Sequence, residues 1–375
     1  MIYFDNAATT PLDPEVREAM LPYLHEFGNP SSKYYPIAER AKEAVQAARN
    51  SVAELLGCDA EEVIFTSGAT ESNNMIIKGV ADAFWGSGKN FVTSAAEHSS
   101  ILEVANYLQT KGIRVELVNV DAAGHVNMEQ LRQLITQNEP PLLISIMWGN
   151  NEVGSLNDIA TISSLSKQYN IPFHTDATQV LGKVPVCLAD LPIQYVSISS
   201  HKIHGPKGIG AAIIRKDELG IRPRLSPLIH GGGQEFDLRS GTLNVPAIVG
   251  FGKAAEVAKR DLTINQNHIA SLESYLTAKL KEHFESIVTF NSPSSNKLPG
   301  IVNVRFKGIH NELLIKKLAP YVAVSSGSAC SSSKPSHVLS SIGCSLDEIR
   351  SSIRISLSKF NTIEEIEKFI GILRG

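Results

Sequence analysis

Lys202 is the residue around which the chemistry of this sequence is organised. It follows a β-branched and apolar run, residues 195–198, which predicts a buried strand, so the lysine is expected in a turn at a strand end. A desolvated lysine has a lowered pKa, and its amine can then form a Schiff base. Asp176 ends another predicted strand upstream. An imine-forming lysine and an acid that pairs with a protonated pyridine nitrogen are the protein half of pyridoxal phosphate chemistry. Taken alone, Lys202 also fits a solvated loop lysine.

Chemically capable side chains follow several other predicted strands. From residue 63 strands alternate with helices, which predicts an α/β fold with a mostly parallel seven-stranded sheet covered on both faces. The predicted strands are 63–66, 91–93, 115–118, 142–147, 172–175, 195–198 and 211–214. Polar groups come just after them, at 67–70, 97–98, 150–151, 176 and 199–202. Ligands bind outside the carboxyl ends of the strands in such sheets, so one cofactor can meet all of these groups.

The stretch 67–72 has the features of a turn that binds phosphate. Gly68 permits close approach of the backbone, and Ala69 and Thr70 begin a predicted helix, with Thr70 as a possible N-cap. Free amides and the helix dipole at such a point favour an anion. The stretch lacks the Gly-x-x-x-x-Gly-Lys-Ser/Thr pattern, so a nucleoside triphosphate is not indicated. A capped helix without a ligand is the other interpretation.

Cys330 lies in a stretch of small and polar residues, 325–337, that predicts an exposed loop. This is an unusual setting for a cysteine, and an accessible thiolate is a competent nucleophile. Cys58 and Cys187 are interpreted as packing cysteines, and the case for Cys344 is weak. The four cysteines form no Cys-x-x-Cys pair, so neither a disulfide framework nor a metal site is predicted.

Composition narrows the functional classes. The 375 residues carry a net charge of -3 and 43% hydrophobic residues, which is ordinary for a globular protein with a large core. The charge supplies no basic field, so direct binding of nucleic acid is disfavoured. There is no signal-like N-terminus and no run of eighteen apolar residues, so no membrane association is expected and the protein is predicted to be cytoplasmic.

These residues resemble one known family. The Asp-Ala-Thr-Gln stretch at 176–179 and the Ser-Ser-His-Lys-Ile-His-Gly-Pro-Lys-Gly stretch at 199–208 are similar to those of the cysteine desulfurases, fold-type I pyridoxal phosphate enzymes. The likeness extends from Asp-Asn-Ala-Ala-Thr-Thr at 5–10 to Arg-Ser-Ser-Ile-Arg-Ile-Ser at 350–356. It implies a large cofactor-binding domain, residues 14–258, and a smaller α/β domain, residues 1–13 and 259–375, that carries the cysteine loop.

The resemblance also implies roles for single residues. Lys202 and Cys330 are expected to be catalytic, and His98 to stack on the cofactor ring and later to move a proton. Substrate contacts are expected from Asn29, Asn151 and Arg354, whose planar guanidinium suits a carboxylate. Contacts to the cofactor are expected from Ala69, Thr70, His98, Asn151, Asp176, Gln179, Ser199, His201, Lys202 and Thr242.

The implied reaction converts L-cysteine to L-alanine and leaves the sulfur as a persulfide on Cys330. An acceptor protein then takes the sulfur, for iron–sulfur cluster assembly, tRNA thiolation or a dedicated pathway such as DNA phosphorothioation. The resemblance further implies a homodimer in which Thr242 reaches the phosphate site of the partner subunit.

One segment departs from the housekeeping members of the family. Only Ser-Ser-Ser-Lys separates Cys330 from Pro335, about two residues fewer than in those enzymes. A shorter tether reduces the reach of the persulfide, which suggests a narrower set of acceptors. A selenocysteine lyase or an aminotransferase of the same fold remains an alternative, as does a sulfur-carrier or scaffold component that needs a partner for turnover.

Overall fold

The computed structural model describes residues 1–136, 139–327 and 335–375. These residues form twelve strands and twelve α-helices. The strands are β1 (Ile2–Tyr3), β2 (Val63–Thr66), β3 (Phe91–Ser94), β4 (Val115–Val118), β5 (Leu143–Ser145), β6 (Phe173–Asp176), β7 (Tyr195–Ser199), β8 (Gly210–Ile214), β9 (Val288–Phe290), β10 (Ile301–Phe306), β11 (Val322–Ala323) and β12 (Ser352–Ser356). The helices are α1 (Pro14–His25), α2 (Pro36–Leu56), α3 (Ala69–Ala83), α4 (Ser99–Thr110), α5 (Met128–Ile135), α6 (Ile159–Gln168), α7 (Val245–Arg260), α8 (Leu262–Phe284), α9 (Asn311–Leu318), α10 (His337–Ser341), α11 (Leu346–Ile349) and α12 (Ile363–Arg374).

Seven strands form the central sheet, in the order β2-β8-β7-β6-β5-β3-β4. All neighbouring pairs are parallel except those of β8, which runs antiparallel to β2 and to β7. The predicted seven-stranded, mostly parallel sheet is therefore confirmed. The predicted strand at 142–147 is shorter than expected. The Met147 amide binds the Glu97 side chain at 2.8 Å, although the Ile146 amide still donates to the carbonyl oxygen of His174 in β6 at 3.1 Å.

The central strands are buried because helices cover both faces of the sheet. Every residue of β2, β3, β6, β7 and β8 is buried. On one face α2 packs against α7, and a Cβ at Gly252 would lie 2.4 Å from Cα of Ala48. Only glycine allows the two helices to approach so closely.

A second core forms from the two ends of the chain. β9, β10 and β12 make an antiparallel sheet, and β1 pairs with β11 in parallel. Apolar side chains of these strands pack on α8 and α12, and Phe4, directly after β1, packs against Phe369 with 5.6 Å between ring centroids. The long helices α7 and α8 meet at Asp261, which is the C-cap of α7 and the N-cap of α8.

The polar segment after β1 crosses the carboxyl edge of the central sheet. Asp5 bridges to Ser356 at the end of β12, and the Ala7 amide binds Ser356 Oγ at 2.9 Å. The Thr10 amide donates to the carbonyl oxygen of His201 at 3.0 Å. These bonds bring residues 5–10 over the turn that carries Lys202. Among the helices of the described residues, none has the length and apolarity that crossing a bilayer requires.

Candidate active site

A cavity of about 420 Å³ lies at the carboxyl ends of the central strands. This is the edge at which open α/β sheets bind ligands, and the volume is in the range of small-molecule sites. Most of the residues expected from the sequence line it: Ala69, Thr70, His98, Asn151, Asp176, Gln179, Ser199, His201, Lys202 and Arg354.

Lys202 lies in the turn that follows β7, and its amine faces the segment after β1. Nζ donates to the carbonyl oxygens of Ala7 and Ala8, each at 2.6 Å. Burial lowers its pKa to about 8, and the guanidinium of Arg354 adds to the effect against the opposing charges of Asp176 and Asp5. A substantial fraction of the amine is therefore neutral near neutral pH, as a nucleophilic lysine requires.

Asp176 is the last residue of β6 and is held by two donors. The Thr178 amide donates to Oδ1 at 3.0 Å, and Asn73 Nδ2 from helix α3 donates to Oδ2 at 2.9 Å. The side chain is buried, with 5% of the residue exposed. Both bonds stabilise the charged carboxylate, so this group is suited to hold a proton on a basic ring nitrogen.

Asn73 links Asp176 to His98. Its Nδ2 also donates to Ser100 Oγ at 2.8 Å, and that hydroxyl lies 2.8 Å from His98 Nδ1. The Ser100 amide donates to the same Nδ1 at 3.1 Å, with His98 as the N-cap of α4. Because Nδ1 accepts, the neutral ring carries its proton on Nε2. The ring is exposed towards the cavity and enclosed by protein on its other sides, and this burial lowers its pKa.

Gln179 shares its acceptor with Lys202. Its Nε2 donates to the Ala7 carbonyl oxygen at 3.0 Å, and its Oε1 accepts from Lys183 Nζ at 2.8 Å. Asn151 lines the same cavity, while the neighbouring Asn150 is turned away and binds the Ala96 carbonyl oxygen at 3.0 Å. Of the two adjacent asparagines, only Asn151 can contact a ligand.

The end of the cavity beneath α3 has the features of an anion site. The N-cap of this helix is Gly68, with φ of 152°, so the predicted N-cap Thr70 is wrong and Thr70 lies in the first turn. A Cβ at Gly210 would lie 2.7 Å from Cα of Gly68, and this close approach requires glycine at 210. His201 Nδ1 lies 3.1 Å from Thr9 Oγ1, and burial lowers its pKa to about 4, so the ring is a neutral donor at neutral pH.

These groups fit pyridoxal phosphate. The helix terminus at Gly68 suits the phosphate, the amine of Lys202 suits the aldehyde, and the carboxylate of Asp176 suits the pyridine nitrogen. In addition, Thr178 Oγ1 is buried on the cavity wall and has no hydrogen-bond partner among the described residues. A polar ligand supplies such a partner.

Arg354 is fully buried on β12, with 0% of the residue exposed. Nη2 donates to Asp5 Oδ1 at 2.7 Å, while Nη1 donates to the carbonyl oxygens of Asn151 at 2.9 Å and Gly327 at 3.3 Å. Nε has no partner among the described residues. The guanidinium is thus held at the cavity wall, opposite the sheet edge that carries Asp176 and Lys202.

Two of the expected residues that the structure describes are not in this cavity, and a third is not among the described residues. Asn29 caps its own turn, accepting from the Ser31 amide at 3.0 Å, and is not part of the cavity lining. Thr242 is exposed and also lies outside the lining. Cys330 lies outside the described residues.

The segment that leads to Thr242 has an unusual backbone. Glu235, Phe236 and Asp237 have φ of 50°, 59° and 65°, three successive non-glycine residues in the left-handed region. A buried ion pair holds them, because Arg49 Nη2 and Nη1 donate to Glu235 at 2.6 and 2.8 Å. The Phe65 amide donates to the same carboxylate at 2.7 Å. This segment is therefore fixed to α2 and β2 of its own chain.

The two ends of the cysteine-bearing stretch meet one buried carboxylate. Ser336 Oγ donates to Glu152 Oε2 at 2.6 Å, and a Cβ at Gly327 would lie 2.9 Å from the same oxygen. His337 Nε2 lies 2.8 Å from the carbonyl oxygen of Glu97. Burial raises the pKa of Glu152.

Sequence reasoning missed several residues of the site. Ala7 and Ala8 act through carbonyl oxygens, which no side-chain pattern reveals, and Asn73 and Thr178 act through contacts with Asp176. Asn73 lies one helical turn after Thr70, so the helical period predicts that the two side chains share one face of α3. Glu71 and Lys207 also line the cavity.

Comparisons of this sequence and of this structure with known proteins all identify members of the same group of related proteins. The Aminotransferase class-V family model matches residues 2–369. The chain is 42% identical over 376 residues to the cysteine desulfurase IscS of Dictyoglomus turgidum, covering 99% of this chain and 93% of the relative. A solved NifS-like protein is similar with a TM-score of 0.91 and 39% identity, covering 99% of this chain and 97% of that one. A structure described as SspA in complex with cysteine has a TM-score of 0.83 and 36% identity, covering 96% and 100%. These neighbours confirm the predicted fold class.

Proposed function

The chain belongs to the class-V aminotransferase family and, within it, to the cysteine desulfurases, and from this premise we propose which of its residues carry the reaction. The expected activity and cofactor are confirmed: the protein is a pyridoxal-phosphate-dependent cysteine desulfurase. The observation that carries the assignment of roles is that Lys202, Asp176, His98 and Arg354 line one cavity.

The cofactor is held by groups at three points of the cavity. The α3 terminus would hold its phosphate, with Ala69, Thr70, Ser199 and His201 as donors, and Lys202 would be the point of covalent attachment. Asp176 would keep the ring nitrogen protonated, His98 would stack on the ring, and the amides of Asn151 and Gln179 would contact its edge. When bound, pyridoxal phosphate supplies an aldehyde that condenses with amines and a ring that withdraws electrons from the substrate.

The remaining residues bind the substrate and move protons. Arg354 grips the substrate carboxylate, because its fork is already oriented by Asp5 and by two carbonyl oxygens. Once the amine of the incoming substrate had displaced it from the cofactor, Lys202 would be a free neutral amine that could take the α-proton of the substrate. His98 carries a proton on Nε2 that it can give, since its Nδ1 is occupied by Ser100. Asn29 completes the substrate contacts in this proposal, although its side chain is turned to Ser31 in the isolated chain.

Cys330 is the proposed sulfur acceptor within the enzyme. Its thiolate sulfur bonds to the sulfur of L-cysteine while the Cβ–S bond of the substrate breaks. The sulfur remains on Cys330 as a persulfide, and Cβ of the product gains a proton to give L-alanine.

In the same proposal two domains and two subunits build the site. Residues 14–258 form the cofactor-binding domain and residues 1–13 and 259–375 the small domain, since the second apolar core is drawn only from the latter ranges. Thr242 reaches the phosphate site of the partner subunit in a homodimer. In support, Thr242 is exposed and outside its own cavity, and the strained segment before it is held rigid by Arg49.

The sulfur then passes to a protein acceptor. Cys330 is three residues from Gly327, and three residues span at most about 11 Å. Because Gly327 is fixed by Arg354, the acceptor must bring its own nucleophile to the mouth of this cavity. The short segment between Cys330 and Pro335 supports a dedicated acceptor rather than a general iron–sulfur scaffold.

The test is formation of alanine and persulfide from L-cysteine by the purified protein, with Lys202→Ala, Cys330→Ala and, as matched control, Cys344→Ala. We expect Lys202→Ala to lose bound cofactor absorbance, Cys330→Ala to bind cofactor without forming persulfide, and Cys344→Ala to behave as wild type. Full activity of Cys330→Ala would instead point to a transaminase or lyase reaction that needs no thiol. Alanine release by the isolated protein would show that it turns over without a partner, and would exclude a carrier that needs a partner for turnover.

A further inference from the structure

Lys183 is a half-buried lysine that the proposed mechanism does not use. It lines a small second cavity of about 30 Å³ on the other side of Lys202, and it is not part of the lining of the active-site cavity. Burial, together with the charges of Lys202 and Arg354, lowers its pKa to about 7. In the described part of the chain no carboxylate pairs with it. A desolvated ammonium group without an acidic partner costs stability, so the remaining contacts of Lys183 call for a functional explanation.

Among the described residues, Gln179 is the one side chain that forms a hydrogen bond with Lys183. Nζ donates to Gln179 Oε1 at 2.8 Å, from outside the active-site cavity. On the other side of the amide, Gln179 Nε2 donates to the Ala7 carbonyl oxygen at 3.0 Å. The same carbonyl oxygen accepts from Lys202 Nζ at 2.6 Å. A continuous set of hydrogen bonds therefore connects Lys183 to Lys202 through Gln179 and Ala7.

The chemistry of these partners fixes which end of the amide faces the cavity. An amine nitrogen of lysine has N–H groups to donate and faces the oxygen of the amide, and a carbonyl oxygen only accepts and faces the nitrogen. Lys183 donates whether its amine is protonated or neutral, so the orientation persists on both sides of its pKa. Gln179 Nε2 carries two N–H groups, and the Ala7 carbonyl takes one of them.

We propose that Lys183 is a positioning residue that holds the Gln179 amide with its N–H groups towards the active-site cavity. The inference rests on the proposed function, in which Gln179 contacts the ring of the bound cofactor. An N–H donor at that point stabilises an oxygen that carries negative charge on the ring, whereas a flipped amide would present a second oxygen and repel it. Lys183 thus acts on cofactor binding through Gln179 without touching the cofactor.

The test is a double-mutant cycle on cofactor affinity. The protein is stripped of cofactor, and the dissociation constant of pyridoxal phosphate is measured by titration for wild type, Lys183→Met, Gln179→Ala and the double variant. Lys183→Met is expected to raise the dissociation constant about two- to tenfold, which corresponds to the loss of one hydrogen bond. In a protein that already carries Gln179→Ala, the same substitution is expected to have no further effect. Lys183→Arg keeps a donor and should stay near the wild-type value.

Lys359→Met is the matched control. Lys359 lines the same small cavity, but its amine pairs with Asp13 at 2.5 Å and not with Gln179, so cofactor affinity should change less than twofold. If Lys183→Met does not fold, as judged by its thermal transition, Lys183→Ala takes its place in the cycle. An unchanged dissociation constant, or the same increase with and without Gln179, would overturn the inference. The double-mutant cycle measures cofactor binding without substrate, so its result does not depend on the desulfurase reaction. A wild-type protein that binds cofactor but releases no alanine would refute the proposed function, while the cycle could still be measured.

Discussion

The carboxylate of Asp5 and the guanidinium of Arg354 form an ion pair, with 2.7 Å between Oδ1 and Nη2, although 349 residues separate them in the chain. The carboxylate that orients Arg354 in this structure is therefore a side chain of the protein and not the carboxylate of a substrate. The proposed role of Arg354 in binding the substrate carboxylate can be separated from this structural pairing by comparing variants of the two partners.

Arg354→Lys is expected to raise KM for L-cysteine about 10- to 100-fold, because an ammonium group cannot form a bidentate pair with a carboxylate. Steady-state kinetics measure this, and cofactor absorbance should be retained. Asp5→Asn breaks the internal ion pair but leaves the arginine in place, so its KM should rise less. Equal increases in both variants would mean that Arg354 is structural.

Asp176→Asn should lower kcat about 10²- to 10³-fold, because the amide cannot hold the ring nitrogen of the cofactor in its protonated form. The measurement is alanine production at saturating L-cysteine. Asn73→Ala removes one hydrogen bond to the same carboxylate and leaves its charge, so about a two- to tenfold loss is expected. Losses of the same size in both variants would contradict a charge effect.

Attachment of the cofactor should depend on pH through Lys202. Its pKa is lowered to about 8, so below this value the rate of reattachment to stripped protein should rise about tenfold per pH unit, and above it the rate should level off. Rapid-mixing absorbance measures the rate. The pKa of Lys183 is about 7, and the inflection near 8 should therefore survive in Lys183→Met. An inflection near the ordinary value for lysine would contradict the prediction.

The same lowered pKa contributes to stability with a definite sign. Between about 8 and the ordinary value of lysine, the unfolded chain binds a proton at Lys202 that the folded chain does not. The contribution of Lys202 to the free energy of unfolding therefore increases as pH rises through this window. Urea titrations of stripped protein across the window should show this increase reduced in Lys202→Met.

Arg49 stabilises the left-handed segment before Thr242, and its loss should be costly. Arg49→Met leaves the buried Glu235 carboxylate without its counter-ion and is expected to lower the free energy of unfolding by about 3–5 kcal/mol. Chemical denaturation measures the change. Arg17→Met, which breaks the exposed pair with Glu18, should change it by about 1 kcal/mol or less. A similar effect in both would show that the segment does not depend on Arg49.

The central sheet and most of the cavity could be predicted from the sequence because both follow from the alternation of apolar runs with short polar stretches. Apolar runs mark the strands, and residues such as Asp176 and His98 come directly after them, where the topology gathers the strand ends. The roles of Gln179 and Arg354 came instead from family resemblance, since an amide or an arginine in isolation does not define its ligand.

The rest depended on contacts that leave no pattern in sequence. The partners of Lys202 are backbone carbonyls of Ala7 and Ala8, and any residue type supplies a carbonyl. Lys183 was not singled out because a lysine in a turn is ordinarily exposed. Thr242 and Asn29 lie outside the cavity of one chain, so their roles require a second subunit or a bound substrate.

The N-terminal segment of this enzyme can complete its contacts only late in synthesis. β1 pairs in parallel with β11, and Ala7 contacts Ser356, which lies further along the chain. Ribosomes make residues 2–10 first, yet those residues acquire their sheet partners only when nearly the whole polypeptide has been translated. Until then the segment that carries the Ala7 and Ala8 carbonyls lacks its bond to Ser356. Stable cofactor retention therefore signals that translation has run to β12, and prematurely terminated chains are expected to remain colourless.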